Sequence, residues 1–150
     1  MRVFTTLDEV AEAAGQELGT SHWVTIDQRR VNQFADATGD HQWIHVDVER
    51  ARSGPFGGTI AHGYLTLSLI PWLGSQVFTL QTPGAKLNYG VNKARFPTPL
   101  MVGRRIRSHV EISEVTKLPK GLQLIVKHTI EIEDEAKPAC VAETVVLLLP

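Results

Sequence analysis

The stretch Tyr64-Leu65-Thr66-Leu67-Ser68-Leu69-Ile70-Pro71-Trp72-Leu73-Gly74-Ser75-Gln76-Val77-Phe78 is apolar on nearly every side. A helix of that composition belongs inside a protein. Pro71 removes one backbone donor and is expected to kink it. At about fifteen residues the segment is too short and too interrupted to cross a bilayer, so no membrane is expected as a partner. Tyr64, Leu67, Trp72 and Phe78 read first of all as core, some of them also lining a pocket. What surrounds such a helix is legible downstream, where apolar residues recur at every second position. They run through Ile106, Val110 and Ile112, then Leu122, Leu124, Val126, Ile130 and Ile132, then Val141, Val145, Leu147 and Leu149. Lys86 to Phe96 adds a fourth strand, and Pro119-Lys120-Gly121 and Glu135-Ala136-Lys137-Pro138 are joints of the kind that link antiparallel neighbours. An α+β fold follows: a curved antiparallel sheet wrapped around one long buried helix.

Upstream, the spacing is helical. Thr6-Leu7-Asp8-Glu9 matches a capping box ahead of Leu7, Val10, Ala11 and Ala14, which share a face up to Gly15. His22 to Ile26 reads as a strand. Asp27 can cap a helix through Val31, Phe34, Ala35 and Thr38, and Gly39 is placed to end it. Asp40 to His45 then falls in the loop leaving that helix, where a rigid support can aim side chains free of any period. Asp47 is placed to cap a short helix from Val48.

A chain of 150 residues suits one domain, residues 1–150. With 15 basic against 16 acidic side chains, a net charge of -1 and no arginine- or lysine-rich run, it offers nucleic acid no field to bind. Cys140 is the only cysteine, which excludes an intrachain disulfide, and its place between Ala139 and Val141 reads as a small buried hydrophobe. Acids at positions 8, 9 and 12 stand where a signal peptide needs an apolar core, and a cytoplasmic protein is expected.

Chemistry concentrates between residues 38 and 63. Thr38-Gly39-Asp40-His41-Gln42-Trp43-Ile44-His45-Val46-Asp47 and Ile60-Ala61-His62-Gly63 hold three of the six histidines and two aspartates. Asp40 and His45 can move protons near neutral pH, and a glycine opening an apolar helix can aim a bare N–H at a carbonyl. From the residues alone, Asp40 after Gly39 reads first as a loop residue bonding its own backbone, and His45 between Ile44 and Val46 is equally a satisfied, partly buried histidine. His41, His45 and His62 invite zinc, but they lie in loops without a metal-site pattern, and no metal is expected.

The motifs resemble a known family. DHQWIHVD from Asp40, then GPFGGTIAHG ending at Gly63, is similar to the hydratase motif of the MaoC-like dehydratases, and Arg95-Phe96-Pro97-x-Pro99 with Gly103 resembles a second signature of that family. The likeness spans roughly residues 20 to 149, judged by motif order. It implies a hot-dog fold, one per chain and paired as a homodimer. It also implies an (R)-specific enoyl-thioester hydratase, or 3-hydroxyacyl-thioester dehydratase, that needs no cofactor. Asp40 and His45 would be catalytic, the Gly63 N–H would hold the thioester oxygen, and Gln42 and His62 would be supporting residues. Gln42-Trp43 stands where many relatives have Asn-Pro, so a water contact made there by asparagine would fall to Gln42 or be lost. The substrate's carrier would be coenzyme A or acyl carrier protein. Lys93, Arg95, Arg104, Arg105 and Arg107 could meet its phosphates, although a solvated strand face explains them equally well. Two other functions compete: a hot-dog acyl-CoA thioesterase, which needs no Asp-x4-His pair, and a non-catalytic acyl-thioester-binding subunit.

Overall fold

A computed structural model describes residues 1–150 and orders them as β1 (Arg2–Phe4), α1 (Leu7–Glu12), β2 (Gln16–Thr20), β3 (Val24–Thr25), α2 (Gln28–Thr38), α3 (Trp43–Val46) and α4 (Val48–Arg52). The chain continues as α5 (Gly63–Ser68), α6 (Ile70–Ser75), β4 (Phe78–Leu80), β5 (Lys86–Arg95), β6 (Arg105–Lys117), β7 (Leu122–Ile132) and β8 (Cys140–Leu148). The long strands form an antiparallel sheet in the order β2-β6-β7-β8-β5, with β3 also paired to β6. Along β7 every second residue is buried, so one face carries the core and the other meets solvent. Register shifts within β2, β5 and β6 add local twist and help the sheet curve.

The cap residues set the helix bounds. The Thr6 and Glu9 side chains bond each other's backbone N–H at the start of α1. Asp27 accepts from the Arg30 N–H at 2.9 Å to open α2, and Gly39 closes it at φ 80°, a left-handed conformation that glycine adopts at no steric cost. Asp47 opens α4 by accepting from the Arg50 N–H at 3.0 Å.

The central helix lies against the sheet but is broken at Leu69 into α5 and α6. Pro71 falls in the first turn of α6, where its missing N–H has no intrahelical bond to lose. Leu65, Ile70 and Leu73 face the sheet and join Ile26, Val31, Leu100, Ile106, Ile130 and the fully buried Cys140 in one core cluster. A second cluster packs Phe4, Val10 and Val77 on Val110, Leu124 and Leu148. Tyr64 and Trp72, expected in the core, are 70% and 45% exposed. The large sheet packs on the helix face that carries Leu65, Ile70 and Leu73, and these two rings lie off that face. Two further departures are local. Val24–Thr25 is all that pairs of the expected His22–Ile26 strand, and Phe78 leaves the helix to open β4, which runs parallel to β1 with Arg2 opposite Phe78.

One buried group makes stability depend on pH. Burial lowers the His128 imidazole from its usual range to about 4. The unfolded chain therefore takes up a proton that the folded chain resists, and stability present above about pH 6.5 is lost as pH falls toward 4. The loss attributable to this ring is about 3 kcal/mol. Urea unfolding at pH 7 and pH 4 should show a smaller difference for His128→Phe than for the parent chain. An unchanged difference would refute the assignment.

Candidate active site

The α2 C-terminus, the turn α3 and the start of α5 converge at one end of the central helix. Asp40 follows the Gly39 cap, and its carboxylate accepts from the Gln42 N–H at 3.3 Å, the short-range contact typical of aspartate in a turn. His45 was expected in a loop. It lies instead on the single helical turn α3 and is buried.

His45 is held at both ends. Its Nδ1–H donates to the Ile60 carbonyl at 2.6 Å, and because a carbonyl only accepts, the neutral ring keeps its lone pair at Nε2. Its backbone carbonyl accepts from Gln28 Nε2 at 2.7 Å, and Gln28 Oε1 in turn accepts from Thr59 Oγ1 at 2.7 Å. Burial pushes the His45 imidazole below its ordinary value. The Ile60 carbonyl opposes that, the neighbouring His62 adds to it, and Asp40 opposes it more weakly. The free nitrogen is thus kept as a lone pair at neutral pH.

His62 is buried and stacks on His45 with ring centroids 3.9 Å apart and planes 24° from parallel. Its Nε2–H donates to the Asp40 backbone carbonyl at 3.0 Å, which ties the loop carrying Asp40 to the head of α5. Its Nδ1 is buried without a partner. Donor atoms of Asp40, His45 and His62 all lie within 4.8 Å of one another. That set could be a metal site by composition. However, each imidazole has one nitrogen spent on a backbone carbonyl, and the two rings are stacked face to face. The separation suits a water instead, since two hydrogen bonds to one oxygen place their outer atoms roughly 4.6 Å apart. His41 is not drawn in: its ring pairs with the exposed Asp36 at 2.9 Å. Nor is Gln42, whose side chain is exposed and makes no hydrogen bond within the chain.

Gly63 is the first residue of α5, and its N–H donates to no acceptor in the chain. The segment leading to it is fixed by the Ile60 N–H to the Ile44 carbonyl at 3.0 Å and the Ala61 N–H to the Leu100 carbonyl at 2.8 Å. His45 and Gly63 line one cavity of about 210 Å³, together with Thr66, Phe96, Pro99 and Ala139. A Cβ on residue 63 would come within 3.0 Å of the Phe96 ring, so glycine is what lets ring and amide share that wall. Phe96, Gln28 and Thr59 had not been singled out as site residues. Phe96 was visible only as part of a motif, while Gln28 and Thr59 carried no local signal.

A buried neutral imidazole, a carboxylate one water away, and a free amide at a helix N-terminus can add or remove water next to a carbonyl. The sequence model described as MaoC like domain matches residues 9–134. This chain belongs to the MaoC-like dehydratase family. As a MaoC-like dehydratase it is a hydro-lyase with a hot-dog fold. It is 54% identical over 147 residues to a 3-hydroxyacyl-thioester dehydratase Z of Mycobacterium tuberculosis, covering 97% of each chain. Among solved structures it is similar to an R-hydratase from Pseudomonas aeruginosa in the unliganded form, with 26% identity, TM-score 0.73 and coverage of 91% of this chain and 81% of that one. An (R)-hydratase from A. caviae involved in PHA biosynthesis matches with 25% identity, TM-score 0.74 and coverage of 91% and 96%. No helix of this MaoC-like dehydratase is long and apolar enough to cross a membrane.

Proposed function

We propose that the chain is an (R)-specific enoyl-thioester hydratase and, in reverse, a 3-hydroxyacyl-thioester dehydratase. The observation that carries this reading is that His45 and the free Gly63 N–H face one cavity while the Asp40 carboxylate stands within a water's reach of the ring. Asp40 and His45 hold the water. As its oxygen attacks the β-carbon of a trans-2-enoyl thioester, its proton passes to the pair, and a proton is delivered to the α-carbon. The C=C electron pair moves through the α-carbon toward the thioester oxygen, where the Gly63 N–H and the start of α5 meet the developing charge. Dehydration runs the same path backward. His62 supports the site by fixing the Asp40 loop, and no cofactor or metal is needed. The substrate is carried on coenzyme A or acyl carrier protein. One domain, residues 1–150, working in the cytoplasm, contains all of these groups.

Crotonyl-CoA tests the reading. Loss of the conjugated double bond without release of free thiol is the expected result. Thiol release without loss of the double bond would make the protein a thioesterase, and neither change would make it a non-catalytic binding subunit.

Gln28 is a positioning residue in this scheme. Gln28→Leu is expected to lower kcat about tenfold, with KM changed less, because the anchor of the His45 backbone is lost together with the Thr59 bond that holds it. An unchanged kcat would remove Gln28 from the account.

We also propose that a second copy of the chain covers the open side. Strand β5 ends the sheet with Leu87, Tyr89 and Val91 all exposed, and Tyr64 and Trp72 project from the same uncovered side of the helix. An unpaired apolar edge of this length invites another strand. The protein should sediment as a dimer, and Tyr89→Glu with Val91→Asp should shift it toward monomer; a monomeric parent chain would refute the pairing.

A further inference from the structure

Away from Asp40 and His45, the chain buries a second imidazole that the reaction does not use. His128 on β7 and Ser108 on β6 lie on the inner face of the sheet, 4% and 0% exposed. Ser108 Oγ is 3.1 Å from His128 Nδ1 and makes no other hydrogen bond. A proton on Nδ1 would leave the Ser108 hydroxyl hydrogen buried with no acceptor. Donation from Ser108 Oγ–H to Nδ1 satisfies both groups, and the proton of the neutral ring then sits on Nε2. That Nε2–H has no partner in the chain, and the ring lines a cavity of about 410 Å³ whose other walls include Ile70, Gly74, Phe78 and Val146, with the polar Lys86 and Asn88 on β5. Gly74 makes the room: a Cβ there would stand 3.2 Å from His128 Cε1.

The two cavities lie on one stripe of the central helix. Gly63 and Thr66 line the first, Ile70 and Gly74 the second, a succession of three- and four-residue steps along one helical face. Leu69 between α5 and α6 keeps a right-handed helical conformation, so eleven residues carry Gly74 about 16 Å beyond Gly63. A chain whose carbonyl is held at Gly63 and which follows that stripe brings its far end to His128.

We propose that the larger cavity receives the tail of the acyl thioester and selects tails that carry an acceptor oxygen, a ketone or hydroxyl, far from the thioester. His128 Nε2–H donates to that oxygen, and Ser108 fixes the tautomer that makes the donation available. A plain hydrocarbon tail leaves the donor unpaired, whereas an oxygenated tail satisfies it. This assignment rests on the acyl-thioester reading above and adds the class of tail.

The test is calorimetric titration of the full chain with two non-reacting thioesters, dodecanoyl-CoA and the same chain bearing a ketone in its distal third. The ketone is expected to bind about tenfold tighter to the parent protein. In His128→Phe the ratio should fall to near one, and in Ser108→Ala it should fall several-fold. Equal affinities in the parent protein, binding of neither thioester, or a preference that survives His128→Phe would overturn the proposal. Should His128→Phe fail to fold, Ser108→Ala decides, and an unchanged ratio there overturns it too. Crotonyl-CoA hydration by the parent protein is read separately. A protein that prefers the ketone but leaves crotonyl-CoA untouched keeps this site and loses the hydratase reading, and the converse loses only this site.

Discussion

His45→Gln is expected to lower kcat for crotonyl-CoA hydration by about 10²–10⁴, the range of a positioned acid–base group. Glutamine can still donate an amide hydrogen toward the Ile60 carbonyl, so the turn α3 keeps its anchor while the basic lone pair at Nε2 is gone. Asp40→Asn should fall in the same range. In the proposed mechanism both groups act on one water, so the double variant should be little worse than either single one. Thermal unfolding of each variant separates this from collapse of a buried site, and full activity in either single variant would refute its role.

Removing the Gly63 N–H is the second large effect. Proline suits this position because residue 63 is the first of α5 and His62 before it has φ -60° and ψ 135°, a conformation that proline's neighbour favours. Its ring would meet Phe96, so the comparison belongs in a Phe96→Ala background. There, Gly63→Pro is expected to lower kcat by about 10²–10³, as loss of one oxyanion donor does. Gly63→Ala in the same background keeps the N–H and should stay within a few-fold of its parent, by the same reasoning. If the two variants lost equal activity, the amide would have no electrostatic part in the reaction.

The sequence announced most strongly what is written in neighbouring residues. Asp27 and Gly39 bound α2 because capping is chemistry between residues a few positions apart, and the alternation along β7 survives folding because one face must be dry. Asp40, His45, His62 and Gly63 stood out because they crowd into a short stretch that the fold closes further. Gln28 and Thr59 did not, since their bonds join residues 17 and 31 apart and no period marks such a pair. The three-residue pairing of β1 with β4 is too short to show periodicity. Tyr64 and Trp72 misled for a different reason: apolarity tells that a side chain wants cover, not which chain provides it.

The carbonyl that orients the His45 ring and the amide that faces its cavity belong to residues 60 and 63, on a single four-residue strut clamped at Ile44 and Leu100. Any movement of that strut would therefore shift both poles of the proposed reaction together. Inserting one residue in that strut would displace proton carrier and charge acceptor in the same stroke, and should harm turnover more than deleting either alone.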